Sequence, residues 1–100
     1  MKFEITYGKG FIVLVIDLEG EVIEPPQLND IVHKVNEELK DIPKNQGIVL
    51  YGRAPIWLYS TLVHEFHHWL WIAVFDPRID GAVVVASHLK GLQIGEVIPL

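Results

Sequence analysis

Short apolar segments bounded by glycine, proline or charged residues dominate this chain. Four of them, FIVLVIDL, GIVLYG, WLWIAVFD and AVVVASH, have the length of β-strands rather than of buried helices. FIVLVIDL is apolar without alternation, which is typical of a strand buried on both faces. Lys2 to Tyr7 predicts a further strand, because the GKG that follows it permits a hairpin turn.

Two segments between these strands have helical periodicity. The first follows EPPQ, has Asn29 or Asp30 as its expected cap, and ends at IPKNQG. Its apolar positions are Leu28, Ile31, Val32, Val35 and Leu39. The second is IWLYSTLVHEFHH, with Pro55 at or near its first position. We therefore predict one α+β domain over residues 1–100, a ferredoxin-like mixed sheet with two helices on one face, and leave the tail LKGLQIGEVIPL unassigned.

Composition narrows the classes of function. The formal net charge of −5 argues against a general grip on long nucleic acid, although a short or cyclic oligonucleotide could bind a local cluster. Cysteine is absent, which excludes disulfides, thiolate metal ligands and thiol catalysis. No apolar run reaches the ~18 residues of a membrane span, and MKFEITYGKG lacks the form of a signal peptide. We therefore expect a cytoplasmic protein with no membrane partner.

The sequence HEFHH, His64 to His68, matches the H-E-x-x-H pattern of zinc metalloproteases. On a helical wheel, at about 100° per residue, the apolar face of the second helix comprises Leu58, Tyr59, Leu62, Val63 and Phe66. His64 and His68 lie on the opposite side and should face solvent, whereas zincin ligands face a cleft from the middle of a long helix. The pattern is therefore not predicted to be a peptidase site.

His67 lies at the border of the apolar face on the same wheel, near Ile56, Ser60 and Val63. A histidine in such a position is more often packed and hydrogen-bonded than a metal ligand or an acid–base catalyst. Both interpretations stay open from the residues alone. The wheel favours His67 over the adjacent His68 as the functional histidine.

The predicted connections place chemically useful side chains at opposite ends of the sheet. A right-handed crossover through the second helix makes the strands on either side of it parallel. Their carboxyl ends then share one edge, which carries Arg53, Asp76 and Arg78. The next strand returns antiparallel and brings His88 to the other edge, where the helix ends with His67. At about 3.3 Å per residue, Asp76 and His88 are roughly 20 Å apart and cannot serve one site in one subunit.

The edge with the arginines suits phosphate. The start of the second helix offers unpaired N–H groups, and Arg53 and Arg78 can each bind phosphate through two hydrogen bonds. Two simpler interpretations remain open. Arg53 could be a solvated loop charge, and the Asp76–Arg78 segment could be an ordinary turn in which the carboxylate accepts hydrogen bonds from backbone N–H groups.

The edge with the histidines suits a metal ion. Neutral imidazoles of His67 and His88 are suitable ligands for Mn²⁺ or Zn²⁺, with a carboxylate completing the set. Phosphodiester chemistry could then be divided between two molecules stacked head to tail, one presenting histidines and the next presenting Asp76 and Arg78. Such a contact need not close, so short filaments would follow.

The run from Leu50 to His88 contains GRAPIWLY, a histidine before the tryptophan-rich strand, DPR and GAVVVASH. In this combination it closely resembles a small CRISPR-associated family of type III systems. That family is described as a manganese-dependent RNA deadenylating exonuclease and as a ring nuclease that opens cyclic tetra-adenylate. The resemblance implies a ferredoxin-like fold, homodimers, Mn²⁺ as cofactor, and cyclic tetra-adenylate sandwiched between stacked dimers.

Carried over residue by residue, the resemblance implies a catalytic set of His67, Asp76, Arg78 and His88. It makes His67, Asp76 and His88 the metal ligands. It also implies a ligand surface that comprises Gly52, Arg53, Ala54, Pro55, Ile56 and Trp57. The family usually has a glycine pair after the DPR motif, whereas this chain has Asp80 before Gly81. The added carboxylate could crowd the anion site or join the metal shell.

We therefore expect a Mn²⁺-dependent ring nuclease that degrades cyclic tetra-adenylate, with the 3′ adenosines of short RNA as a second substrate. Its role would be to switch off type III CRISPR signalling. One alternative is a sensor that binds cyclic oligoadenylate or RNA ends without turnover. Another is a dimeric scaffold whose histidines only pack.

Overall fold

The computed structural model describes the whole chain, Met1–Leu100. Its elements, in chain order, are β1 (Lys2–Tyr7), β2 (Phe11–Asp17), a short 3₁₀ helix (Pro25–Gln27), α1 (Leu28–Leu39), β3 (Gly47–Gly52), α2 (Ile56–Glu65), β4 (Trp71–Asp76), β5 (Gly81–Ser87) and β6 (Val97–Ile98). The predicted α+β class is confirmed, because the protein has one six-stranded mixed sheet and two α-helices. None of the helices has the length and apolar character needed to cross a bilayer.

The strands lie side by side in the order in which they occur along the chain. β2, β3 and β4 are parallel to one another, whereas β1 and β5 pair antiparallel with the outer two of them and β6 pairs antiparallel with β5. α1 and α2 connect the two parallel pairs, with no strand inserted between the members of a pair. The ferredoxin-like arrangement has such an inserted strand, so this part of the prediction is wrong. Right-handed crossovers that step in the same direction place both helices on one face of the sheet, as predicted.

The larger core lies between the helices and one face of the sheet. α2 and its C-terminal end contribute Leu58, Leu62 and Phe66, as the helical wheel predicts, with Tyr59 and Val63 half-buried beside them. The strands contribute alternate residues, because successive side chains in a strand lie on opposite faces. These strand residues are Ile12, Leu14, Ile16, Ile48, Leu50 and Ile72.

The other face of the sheet carries a smaller apolar cluster with no helix over it. Its buried members are Val49, Trp71, Ala73, Ala82 and Val84. Leu92 and Ile98, from the tail that the sequence left unassigned, pack against this cluster. β2 is fully buried on the helix side and only half-buried on this side, so burial on both faces, as predicted from its apolar run, is wrong.

Two helix boundaries differ from the predicted ones for identifiable reasons. α1 begins at Leu28 with Gln27 as its N-cap, so the expected caps Asn29 and Asp30 lie within its first turn. The 3₁₀ helix directly before α1 has its own side-chain cap, because Glu24 N–H donates to Gln27 Oε1 at 2.6 Å. The helical path therefore starts before Asn29 and Asp30.

α2 ends at Glu65, short of His68, where the sequence pattern predicted its end. The chain turns at this point to bury Trp69, which is 1% exposed and packs edge-on against Phe66. β4 accordingly begins at Trp71 rather than at Trp69.

Candidate functional site

The carboxyl ends of β3 and β4 meet at one edge of the sheet, as the sequence predicts. Gly47 pairs with Trp71 and Leu50 with Val74 in parallel register. The loop after β3 and the turn after β4 therefore emerge side by side. We call this edge the arginine end and define it by Arg53, Asp76 and Arg78.

Asp76 and Arg78 form a local ion pair at the arginine end. Asp76 Oδ1 accepts the backbone N–H of Arg78 at 2.9 Å, and Arg78 Nη2 lies 3.2 Å from Asp76 Oδ2. The segment is thus the carboxylate-capped turn that one interpretation of the sequence predicted. The hydrogen bond from the Arg78 side chain, followed by that from its backbone, lowers the pKa of Asp76, so the carboxylate stays charged in mild acid. The Arg78 side chain remains 86% exposed and open to an anion.

Arg53 is exposed and forms no ion pair. It lies between two open cavities. The larger, of about 520 Å³, is lined by Asp17, Leu18, Glu19, Gly20, Glu21, Arg53, Ala54 and Pro55. The smaller, of about 350 Å³, is lined by Tyr51, Gly52, Arg53, Ala54, Phe75 and Pro77. The loop that carries Arg53 therefore forms part of both walls.

The backbone just before Arg53 is fixed by two contacts. The Tyr59 hydroxyl on α2 donates a hydrogen bond to Gly52 O. Burial raises the pKa of Tyr59 to about 12, so the hydroxyl keeps its proton and remains a donor at neutral pH. Gly52 has φ +140°, and a Cβ there would lie 2.2 Å from Ile16 O on β2. Only glycine fits this close approach, which holds the loop against the neighbouring strand.

The start of α2 adds backbone donors to the arginine end. The N–H groups of Leu58 and Tyr59 donate to Pro55 O, the N-cap carbonyl. The N–H groups of Ile56 and Trp57, in the first turn, have no partner within the helix. Their side chains line neither cavity of the arginine end, because Ile56 is 84% exposed and Trp57 packs on the larger core.

His67 and His88 meet at the opposite edge, which we call the histidine end. His88 Nε2 lies 2.8 Å from His67 O, and His67 Nδ1 lies 3.1 Å from His64 O. Since a carbonyl oxygen only accepts, each of these ring nitrogens carries hydrogen. In the neutral rings, His67 Nε2 and His88 Nδ1 are then free to bind a metal ion. Metal-binding histidines commonly have their other ring nitrogen fixed in this way.

Packing of His67 against the core, one of the two interpretations from the wheel, is wrong, because its side chain is exposed. The early end of α2 moves His67 out of the helix and into the following turn. His68 is exposed as well, with its ring centroid 5.5 Å from that of His67, but it does not contact His88 through a hydrogen bond. His88 thus contacts the backbone of His67, and the choice of His67 as the functional side chain stays a prediction.

The two ends cannot meet in one molecule. Asp76 pairs with Gly81 and Trp71 with Ser87, so the length of β4, about 17 Å, separates Asp76 from the edge where His88 lies. No three His, Asp or Glu side chains of the chain are grouped so that they could hold a metal ion. A histidine site with a carboxylate ligand would require a second copy.

The HEFHH segment does not form a peptidase site. His64 and Glu65 are the last residues of α2, whereas His68 lies beyond its end. The Glu65 carboxylate accepts a hydrogen bond from Asn36 Nδ2 at 2.9 Å and contacts α1 rather than a metal ligand. The spacing of this motif therefore reflects the end of a helix and not a zinc-binding face.

Residues 16–99 match the family model of the CRISPR-associated protein Cas_csx3. The chain belongs to this family. Every site residue predicted from the sequence, from Gly52 to His88, lies inside the matched segment. The Cas_csx3 chain is also 49% identical, over 67 residues, to an uncharacterized protein of Aquifex aeolicus (strain VF5). That alignment covers 65% of this chain and 60% of the relative, so it spans about three-fifths of the relative's length.

Three aromatic residues of this Cas_csx3 protein lie at the arginine end without having been predicted there. Tyr59 fixes the backbone of Gly52, and Tyr51 and Phe75 line the smaller cavity. Strand alternation was the available signal for the latter two, because each lies one residue before the end of its strand and on the same face as the other. For Tyr59 the wheel indicated only a core position.

Asp80 in the turn after β4 has φ +48°, a left-handed conformation that costs an ordinary residue about 1 kcal/mol relative to glycine. A glycine at this position avoids the cost. We expect Asp80→Gly to raise the free energy of unfolding by about 0.5 kcal/mol, because the added freedom of the unfolded chain offsets part of the gain. Urea unfolding measures the change.

Asp80→Asn is the matched control, since asparagine shares the tolerance of aspartate for this conformation but has no charge. It should leave the free energy of unfolding nearly unchanged. An equal gain in both variants would place the strain in the charge of Asp80 rather than in its backbone.

Proposed function

We propose that this Cas_csx3 protein is a Mn²⁺-dependent phosphodiesterase that binds cyclic tetra-adenylate between stacked homodimers and cleaves it, thereby ending a type III CRISPR signal. The 3′ adenosines of short RNA would be a second substrate. One observation carries the proposal: the arginine end and the histidine end lie at opposite edges of the sheet, each with half of the groups that this chemistry needs. Head-to-tail stacking would bring the two ends together.

The arginine end would bind the phosphates of the ligand. Arg53 has no ion-pair partner in the chain, and Arg78 has most of its guanidinium surface exposed. The free N–H groups of Ile56 and Trp57 add the positive end of a helix. These donors converge from the loop after β3 and the turn after β4, so a bridging phosphate could contact both.

The histidine end has the donor set that Mn²⁺ accepts. Imidazole nitrogens together with a carboxylate are suitable ligands for this ion. His67 Nε2 and His88 Nδ1 would bind it, and Asp76 of the next molecule would complete the set. When bound, the ion would polarise the phosphodiester and lower the pKa of its water.

Arg78 would act on the same phosphate as a positioning and charge-neutralising group. Its guanidinium holds Asp76 in one orientation through contacts to both carboxylate oxygens, at 3.5 Å and 3.2 Å. Asp76 Oδ1 accepts two of the hydrogen bonds from Arg78, but Oδ2 accepts only one, so its second lone pair could bind a metal ion while this ion pair persists. A histidine that does not bind the ion would have a ring nitrogen that could take or give a proton.

Incubation of the purified protein with cyclic tetra-adenylate, in EDTA and with Mn²⁺ or Mg²⁺ added, tests the proposal. We expect linear products in Mn²⁺ and intact ligand in EDTA, separated by chromatography. The ends of the products identify the bond that is cut. His33→Ala is the control, because His33 is an exposed histidine on α1, away from both ends, and its loss should not change the rate.

Intact ligand in every tube, with binding detected by calorimetry, would assign the protein to the non-catalytic sensors. The absence of a complete metal-binding group within one chain is the observation that favours this second function. A protein that neither binds nor cleaves any adenylate would leave only the scaffold interpretation.

A further inference from the structure

Two aromatic rings face one another in the wall of the smaller cavity, next to the arginine end. The ring centroids of Tyr51 and Phe75 are 4.4 Å apart, and the rings are tilted by 39°. Tyr51 is the next-to-last residue of β3 and is 38% exposed. Phe75, the next-to-last residue of β4, is half-buried. At this separation the two rings stack face to face rather than side by side, and the exposed part of the pair belongs to Tyr51.

Packing on the buried apolar cluster explains neither ring. Tyr51 and Phe75 lie on the face of the sheet that no helix covers, but they belong neither to its buried cluster nor to the half-buried residues around it. The Tyr51 hydroxyl makes no hydrogen bond within the chain, in contrast to that of Tyr59. An open aromatic surface of this kind is typical of sites where single-stranded nucleic acid stacks its bases.

Charge separates this cavity from its larger neighbour. Three carboxylates, those of Asp17, Glu19 and Glu21, line the larger cavity and would repel a phosphate. The only charged side chain in the smaller cavity is that of Arg53. Pro77, in the same wall, lies between Asp76 and Arg78, so a base in this cavity would have its phosphate next to the arginine end.

We propose that Tyr51 and Phe75 form a nucleobase-stacking subsite, in which one base of a single-stranded or cyclic oligoadenylate stacks on the Tyr51 ring, which Phe75 supports from its other side, while Arg53 binds its phosphate. The inference rests on the proposed function for the identity of the ligand. The cavity of about 350 Å³ is at the small end of the range for ligand pockets and suits one nucleoside rather than a duplex.

The subsite selects by ring area rather than by hydrogen bonding to base edges. Among the lining residues, the Tyr51 hydroxyl is the one neutral polar side-chain group, and the remaining polar side chain is the Arg53 guanidinium. Purines, which stack over a larger area, therefore bind more tightly than pyrimidines. Adenine is favoured over uracil here without a base-specific hydrogen bond.

The test measures binding of linear tetra-adenylate that carries 2-aminopurine, in EDTA so that cleavage plays no part. Stacking on an aromatic ring quenches the fluorescence of 2-aminopurine. We expect quenching by the wild-type protein and by Tyr51→Phe, which keeps the ring. Tyr51→Leu should bind about tenfold or more weakly and lose most of the quenching. Tyr7→Leu, at a tyrosine of β1 that is 74% exposed, is the matched control and should bind as the wild type does.

Phe75→Leu provides the same measurement if Tyr51→Leu fails to fold, as judged by thermal unfolding. Binding without quenching in the wild type, or equal affinity of the wild type and the leucine variants, overturns the stacking subsite and leaves the proposed function standing. Failure of the wild type to bind either this probe or cyclic tetra-adenylate overturns the proposed function as well. Tighter binding of tetra-uridylate than of tetra-adenylate would contradict selection by ring area.

Discussion

His67→Ala and Asp76→Ala should each lose cleavage of cyclic tetra-adenylate by on the order of a thousandfold, because each removes a metal ligand and acid–base or charge-bearing group from the proposed site. A mixture of the two inactive proteins should regain activity. The reason is the distance between the ends: about 17 Å of β4 lies between Asp76 and the histidine end, so each variant keeps one half of the site intact. Initial rates across a series of mixing ratios measure the recovery.

The expected recovery at equal concentrations is about a quarter of the wild-type rate, since each junction needs one intact half from each of two randomly chosen copies. A mixture of Asp76→Ala with Arg78→Ala is the control. Both changes affect the arginine end, so no junction would have that half intact and the mixture should stay inactive. Rescue in the control, or none in the test mixture at any ratio, would show that the site is not divided between copies.

Gly52→Ala should lower the free energy of unfolding by about 3 kcal/mol or more. At φ +140° any other residue is strained, and the new Cβ would lie 2.2 Å from Ile16 O, a backbone atom of the paired strand that has no room to move aside. Relief would require β2 and β3 to separate at the arginine end. Urea unfolding, monitored by tryptophan fluorescence, measures the loss.

Gly91→Ala separates the two causes. Gly91 also has a positive φ, +92°, but a Cβ there would contact nothing within 4 Å. It should therefore show the cost of the backbone conformation without the collision. Equal losses in the two variants would contradict the close approach of β2 to Gly52.

The strands and helices were predictable because their signals are local. Lys2–Tyr7 and Gly47–Gly52 have the predicted bounds, since glycine or charge marks each end. Their order in the sheet depends on long-range pairing, which periodicity does not encode. The face of the sheet without helices is the clearest case. The apolar run of β2 has the composition of a strand buried on both sides, yet no helix of the chain covers its second side.

The placement of the candidate site was predictable from the directions of the strands rather than from any sequence motif. Parallel strands and one antiparallel return were enough to assign Arg53 and Asp76 to one edge and His88 to the other. Geometry at the scale of single side chains was not predictable. The exposure of His67 depends on where α2 ends, and that depends on the burial of Trp69, a contact between residues of different elements.

Under the proposed function, the opposed ends of the sheet would have a kinetic consequence. A catalyst assembled from two copies loses activity on dilution faster than its concentration falls, because the number of junctions depends on the square of the protein concentration when junctions are scarce. Excess ligand acts in the same direction, since it can occupy the arginine end of every copy before a neighbour arrives. Turnover would then pass through a maximum as ligand rises, and a cell could set the lifetime of the signal through the abundance of the protein alone.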